Sequence, residues 1–134
     1  MREILFKAKT ISGNWVNGLL ANKDDKWYIS NKAGMPFAYD VRPETICQFT
    51  GLYDKNGNRI WDNDIVNTNS NLRAQIKFGL YSNSFSTRKY HQGFYMDFMD
   101  NEYYRHELGY WAGKSVVIGN IFDNKELLQE KPNE

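Results

Sequence analysis

The chain has 134 residues, with 17 Lys+Arg against 16 Asp+Glu for a net charge of +1, so it is neither a polycation built to neutralise phosphates nor an acidic tail protein. A single domain of this length buries about two thirds of the surface its unfolded chain exposes, enough for one core, and 16% aromatic residues argue against disorder. The lone cysteine, Cys47, excludes an intramolecular disulfide framework and a cysteine-based zinc site.

Residues 1–10 carry Arg2, Glu3, Lys7 and Lys9 and no apolar h-region, so they do not read as a signal peptide. The longest apolar runs, such as Val116-Val117-Ile118, fall far short of the about 20 residues of a membrane span. A soluble chain in a reducing, cytoplasmic setting is the expectation. Short alternating runs then recur between Gly, Asn and Asp turn signals, the pattern of a small β sandwich or barrel. Strands are expected over residues 4–8, 15–20 and 26–29, with turns at Ser12-Gly13-Asn14 and at Asn22-Lys23-Asp24-Asp25. Residues 37–41 read as extended, since Pro43 keeps Arg42 out of the helical region. Residues 45–50 alternate as a strand. The Asn-Gly of Asp54-Lys55-Asn56-Gly57-Asn58 is the strongest hairpin cue, and Asn56 and Gly57 are expected at its two central positions, both with positive φ. Gly51, between an alternating run and Leu52-Tyr53, is expected at a bend or bulge. Ile65-Val66, residues 72–78, 94–99 and 115–121 complete the strands, and residues 81–92 read as a long working loop. Residues 101–113 show no clean period. A short helix follows Asp123-Asn124 and stops at Lys131-Pro132.

Few residues carry a chemical signature. His91 and His106 have no ligand spacing around them. Cys47 lies in a strand between Ile46 and Phe49 and reads as a small buried hydrophobe rather than a nucleophile. Asp62 and Asp64 would share a cation if they sat on one face of a regular strand, but Asp-Asn-Asp is also turn chemistry. No phosphate loop, nucleophile elbow or zinc-protease motif occurs.

Two surface readings stand out. Arg73, Lys77, Arg88, Lys89 and Tyr90, with Tyr81 and Phe85, interleave cations and rings, as a nucleic-acid contact would; the plain alternative is the wet face of a half-buried strand. Asp97, Asp100, Glu102 and Glu107 carry the opposite sign, which would also suit self-association. Tyr103, Tyr104, Arg105, Tyr110 and Trp111 form a cluster of residue types enriched at interface hot spots, a contact for a second copy or a partner protein; alternatively the segment folds over the barrel mouth and buries its rings within the monomer.

Four blocks in order give the chain a resemblance. They are Arg2-Glu3-Ile4-Leu5-Phe6-Lys7-Ala8, Thr45 to Leu52 continuing to Asp54-Lys55-Asn56-Gly57, Ile60-Trp61-Asp62-Asn63-Asp64-Ile65-Val66, and Val117 to Asn124 with Glu126-Leu127-Leu128. Together they resemble the YopX family of bacteriophage and prophage proteins. Asn63 stands where the family usually has Gly, and Lys125 where it often has Pro. The resemblance implies a mostly β structure with an SH3-like barrel, a phage or prophage origin and an unknown biochemical role, and it supplies no catalytic residues to carry over; the cytoplasm of the bacterial host is the expected location. The expected architecture is one domain over residues 1–128: an N-terminal hairpin layer at 1–43, the barrel and short helix at 44–128, and a tail at 129–134. The expected core is Trp15, Trp27, Phe49, Leu52, Ile65, Val66, Ile76, Phe78, Phe94, Phe98, Val117 and Ile121. The leading functional expectation is a non-enzymatic accessory protein, without cofactor or metal, that binds protein or self-associates. The alternative is a nucleic-acid-binding module.

Overall fold

The computed structural model describes residues 4–30, 38–82, 90–98 and 105–129. The chain is mostly β, in two antiparallel sheets, and it divides into two compact units, Met1–Gly51 and Leu52–Glu134. Neither sheet closes on itself, so the described strands form no closed barrel. The division falls later than the expected end of the N-terminal layer at residue 43, because the strand after Pro43 pairs back onto the first strand.

The first unit holds β1 (Phe6–Lys9), β2 (Trp15–Lys23), β3 (Lys26–Ser30), β4 (Tyr39–Asp40) and most of β5 (Cys47–Tyr53), in the order β4-β3-β2-β1-β5. Alternation turns Ala8, Ile29 and Val41 into a small core, with Phe6, Val16, Leu20, Trp27 and Ile46 packed against it. The β2–β3 hairpin turns through Asp24 and Asp25, both left-handed at φ 54 and 64, as a two-residue loop requires. Thr45 ties the unit together: its hydroxyl accepts Lys9 N–H at 2.8 Å and donates to the Arg42 carbonyl at 2.7 Å. Pro43–Thr45 itself is a single 3-10 turn.

In the second unit, β6 (Arg59–Trp61) follows the end of β5, and β7 (Asp64–Thr68), β8 (Arg73–Tyr81), β9 (His91–Phe98) and β10 (Ser115–Asn120) form a sheet in the order β10-β7-β8-β9. α1 (Leu108–Trp111) and α2 (Glu126–Gln129) are single turns of helix. Ile60, Val66, Ala74, Ile76, Met96, Phe98, Leu108, Trp111 and Ala112 make the core. Of the expected core residues, Phe49, Ile65, Val66, Ile76 and Phe98 are buried, while Trp15, Trp27, Leu52, Phe94, Val117 and Ile121 are half-buried. Phe78 is the exception at 54% exposed, because β8 runs on past the core.

Three hairpins turn in one way. Thr10 to Asn14 joins β1 to β2, Asp54 to Asn58 joins β5 to β6, and Thr68 to Leu72 joins β7 to β8. In each, the first residue's N–H donates to the fifth carbonyl at 2.8, 2.8 and 2.9 Å, and the fourth N–H donates back to the first carbonyl at 2.9, 3.0 and 2.9 Å. The fourth residue is left-handed: Gly13 at φ 96, Gly57 at 84 and Asn71 at 62. This is a type I turn closed by a left-handed residue. The first side chain supplies an oxygen to the backbone inside the turn. Thr10 Oγ1 accepts Asn14 N–H at 3.2 Å, and Thr68 Oγ1 accepts Ser70 and Leu72 N–H at 3.2 and 3.1 Å. Asp54 Oδ1 accepts Asn56 and Asn58 N–H at 2.9 Å each. Gly57 is therefore left-handed as expected, but Asn56 is not, because Asp54 holds a longer turn than a two-residue loop. Gly51 has φ 88, consistent with the expected bend.

Asp54 also reaches across the unit. Its Oδ2 accepts Val117 N–H at 2.9 Å, and the neighbouring Lys55 N–H donates to the Ser115 carbonyl at 2.9 Å. Burial of Asp54 pushes its carboxyl up, but the N–H groups of Val117, Asn58 and Asn56 outweigh it and hold the pKa below the usual 3.8. Beyond Val117, β10 bulges before Gly119. A Cβ on Gly119 would lie 2.5 Å from Asn124 Oδ1, so any larger residue there would have to displace the Asn124 side chain. Asn120 Oδ1 accepts Phe122 and Asp123 N–H at 2.9 Å each and completes the exit turn.

Two stability outcomes follow. Gly57→Val is expected to cost about 1 kcal/mol or more, since a β-branched residue resists positive φ; an unchanged melting temperature would refute the left-handed turn. Asp54→Asn is expected to cost about 2 kcal/mol at neutral pH, because one carboxylate oxygen is replaced by an NH2 facing backbone N–H groups. The folded-state pKa of Asp54 is depressed, so its contribution is present above the ordinary 3.8 and lost as pH falls through the lower folded value. Urea midpoints of wild type and Asp54→Asn should therefore converge in acid, and a gap that persists there would refute the ionised cap.

Candidate functional site

The described surface is most unusual where β8 and β9 outrun their sheet. β7 pairs with β8 only at Arg73, Ala74 and Gln75, whereas β9 follows β8 from Ala74↔Phe98 to Tyr81↔His91. The outer half is thus a two-stranded ribbon. Along one face, Ala74 and Ile76 are fully buried, and the same face then continues through Phe78 and Leu80, at 54% and 69% exposed. Phe94, opposite Phe78, is half-buried and meets its ring edge-on at 4.9 Å. On the other face Tyr81 stacks on Tyr95 at 5.4 Å and lies 5.4 Å from the His91 ring. The strands extend to Tyr81 and resume at His91, so the expected loop over residues 81–92 is shorter than its sequence implied.

The proposed nucleic-acid residues are largely in use elsewhere. Arg73 Nη1 donates to the Leu127 carbonyl at 2.9 Å and closes the end of α2. Lys77 Nζ lies 2.7 Å from Asp97 Oδ2 on the neighbouring strand, and this bond raises the lysine pKa. Tyr90 is 72% exposed beside β9, and Arg88 and Lys89 lie outside the described residues. Among the described residues, the basic set is therefore not assembled into one free patch.

The proposed partner patch also separates. Trp111 is 7% exposed and belongs to the core, with Nε1 donating to the Arg105 carbonyl at 2.7 Å and its ring edge-on to Phe98 at 5.4 Å. Leu108 and Trp111, three apart on one turn of helix, both face inward. Tyr110 stays outside, but its ring is covered by Arg105 at 4.6 Å and Lys114 Nζ at 4.1 Å. Arg105 in turn pairs with Glu107. Tyr103 and Tyr104 lie outside the described residues.

The remaining reactive side chains serve the fold. Asn63 is left-handed at φ 72, and Asp64 Oδ2 accepts Trp61 N–H at 2.8 Å, so Asp62-Asn63-Asp64 is a turn. Burial pushes the Asp62 carboxyl up. His106 Nδ1 sits 3.0 Å from the Met96 carbonyl, and buried Cys47 Sγ lies 3.3 Å from the Thr45 carbonyl. Among the described residues no three His, Cys, Asp or Glu side chains gather as metal ligands, and no helix is long and apolar enough to cross a membrane.

Sequence reasoning missed Leu80 and misplaced Phe78. The signal was the alternation of Ala74, Ile76, Phe78 and Leu80, two steps longer than the core has room to bury.

The left-handed Asn63, the Asp54 cap and the Gly119–Asn124 contact give a physical reason for each of the later sequence blocks. The family model described as YopX protein matches residues 7–129, and the chain belongs to the YopX family. No curated protein matches the chain.

Trp111→Ser is expected to cost about 3 kcal/mol or more, as loss of a core aromatic does. Tyr110→Ser should cost about 1 kcal/mol, the order of an exposed cation–π contact. Denaturant midpoints of the two variants check this; equal costs would mean that Trp111 is not core.

Proposed function

We propose that this YopX-family protein is a non-enzymatic accessory protein of a bacteriophage or prophage, working in the host cytoplasm by binding protein through the outer β8–β9 ribbon. One observation carries the reading: the face that is fully buried at Ala74 and Ile76 continues, exposed, through Phe78 and Leu80. Apolar side chains placed together on an ordered strand favour a protein surface over water or a phosphate backbone. The two cations of β8, Arg73 and Lys77, are bound to Leu127 and Asp97, which weighs against nucleic acid at the described part of this face. The SH3-like relation implied by the family resemblance supports the reading by analogy, since small β folds bind with strand edges and loops.

Replacing both Phe78 and Leu80 by Ser should leave the melting temperature of the dilute protein within a few degrees of wild type, since exposed side chains contribute little to the fold. A photoreactive residue at position 80 should give discrete protein adducts in cells expressing the protein. Loss of stability on the scale of a core substitution would mean that the face is closed within the chain. Adducts to nucleic acid, or none to protein, would overturn the reading.

A further inference from the structure

The exposed ribbon has an open edge as well as an apolar face. The Ile76 carbonyl accepts the Asn63 N–H at 2.8 Å, so Ile76 turns its backbone polar groups away from β9. In an extended strand those groups alternate sides, so Phe78 and Leu80 turn outward next. Among the described residues no strand pairs with β8 along that edge beyond Ile76. Proteins usually blunt such an edge with charge, proline or a bulge. From residue 76 to 82 the sequence is Ile-Lys-Phe-Gly-Leu-Tyr-Ser, and its one charge, Lys77, is matched by Asp97 of its own chain at 2.7 Å.

The geometry points to a second copy of this chain as the occupant: β8 pairs antiparallel with β8 of a two-fold-related copy, with Gly79 facing the partner's Gly79 on the axis. This rests on the protein-binding reading and names its partner. Three features favour self-pairing over an unrelated strand. First, the parity is self-complementary: with Gly79 on the axis, Phe78 stands opposite the partner's Leu80, and both turn their N–H and C=O groups to the shared edge. Opposite residues share a face, so two Phe78 and two Leu80 side chains gather in one patch. Second, no like charges meet, because Lys77 stands opposite the partner's Tyr81, and the net charge of +1 gives little repulsion between copies. Third, the axis residue is a glycine that pairs with Gly93 within each chain, so neither position puts a side chain of its own on the other face, where the Tyr95 ring lies 3.9 Å from the place of a Gly79 Cβ. A single strand pair buries a small area, so the dimer belongs to the weak, transient class.

Two measurements on the full chain test this. Light scattering over a concentration series should show monomer passing to dimer, and Leu80→Lys should weaken the dimer by about tenfold or more, the order of one hot-spot side chain. Leu80→Ser, with an unaltered melt, serves as the folded control. For the register, Lys77→Cys and Tyr81→Cys proteins are mixed under oxidised glutathione. Residues 77 and 81 would form a non-hydrogen-bonded pair with Cα atoms about 4.5 Å apart, within disulfide reach. A disulfide-linked dimer should form in the mixture and from neither variant alone, as Cys47 is buried. A strict monomer at every concentration would overturn self-pairing, as would a dimer indifferent to Leu80→Lys or a disulfide between like variants. If the crosslink from position 80 then goes to a different protein, the binding reading stands and only the occupant changes. If it goes to no protein, both fall.

Discussion

The carboxylate of Asp54 accepts backbone N–H groups from Asn56, Asn58 and Val117, all at 2.9 Å. A charge in a site that is only 5% exposed is costly unless its hydrogen bonds are made, and here the backbone makes them. One oxygen shapes the β5–β6 turn and the other fixes β10, which the sequence places 63 positions away. Ser115 and Lys55 add a second bond to the same junction. β10 is held against β7 on its other side, with the bulge, Gly119 and Asn124 setting where it ends. Much of the second unit's edge is thus positioned by one side chain.

The same economy of polar groups decides what is left for function. Arg73 closes α2, Lys77 meets Asp97, Tyr110 carries two cations on its ring, and Asp64 caps its own turn. Side chains that resemble binding groups in the sequence are holding the chain in shape. The unspent surface is apolar instead, at Phe78 and Leu80, where strand pairing continues after the core has ended.

The legible part of the fold was local. Alternation located most strands, and Gly13, Gly57 and Asn63 announced their turns because few residues tolerate left-handed backbone. The Thr10, Asp54 and Thr68 turns were only partly legible: Asn-Gly indicated a two-residue loop, and the longer turn depends on the Asp54 side chain. Alternation places Phe78 with the core because it records which residues share a face, not where the covering layer stops. Trp111 shows the converse: its segment lacks a period because only one turn of helix presents Leu108 and Trp111 inward. The fate of Arg73 and Lys77 depended on long-range partners, Leu127 and Asp97, that no local pattern names.

The ribbon that runs past the core is stiffened from within. Phe78 meets Phe94, Tyr81 stacks on Tyr95, and Lys77 is bonded to Asp97 across the two strands. Each such pair contributes a few tenths to about 1 kcal/mol. Their combined effect is to keep a two-stranded extension ordered that water would otherwise fray. The entropy of straightening β8 is therefore lost during folding rather than at encounter. A strand docking on that edge meets a preorganised template and has only its own disorder to give up.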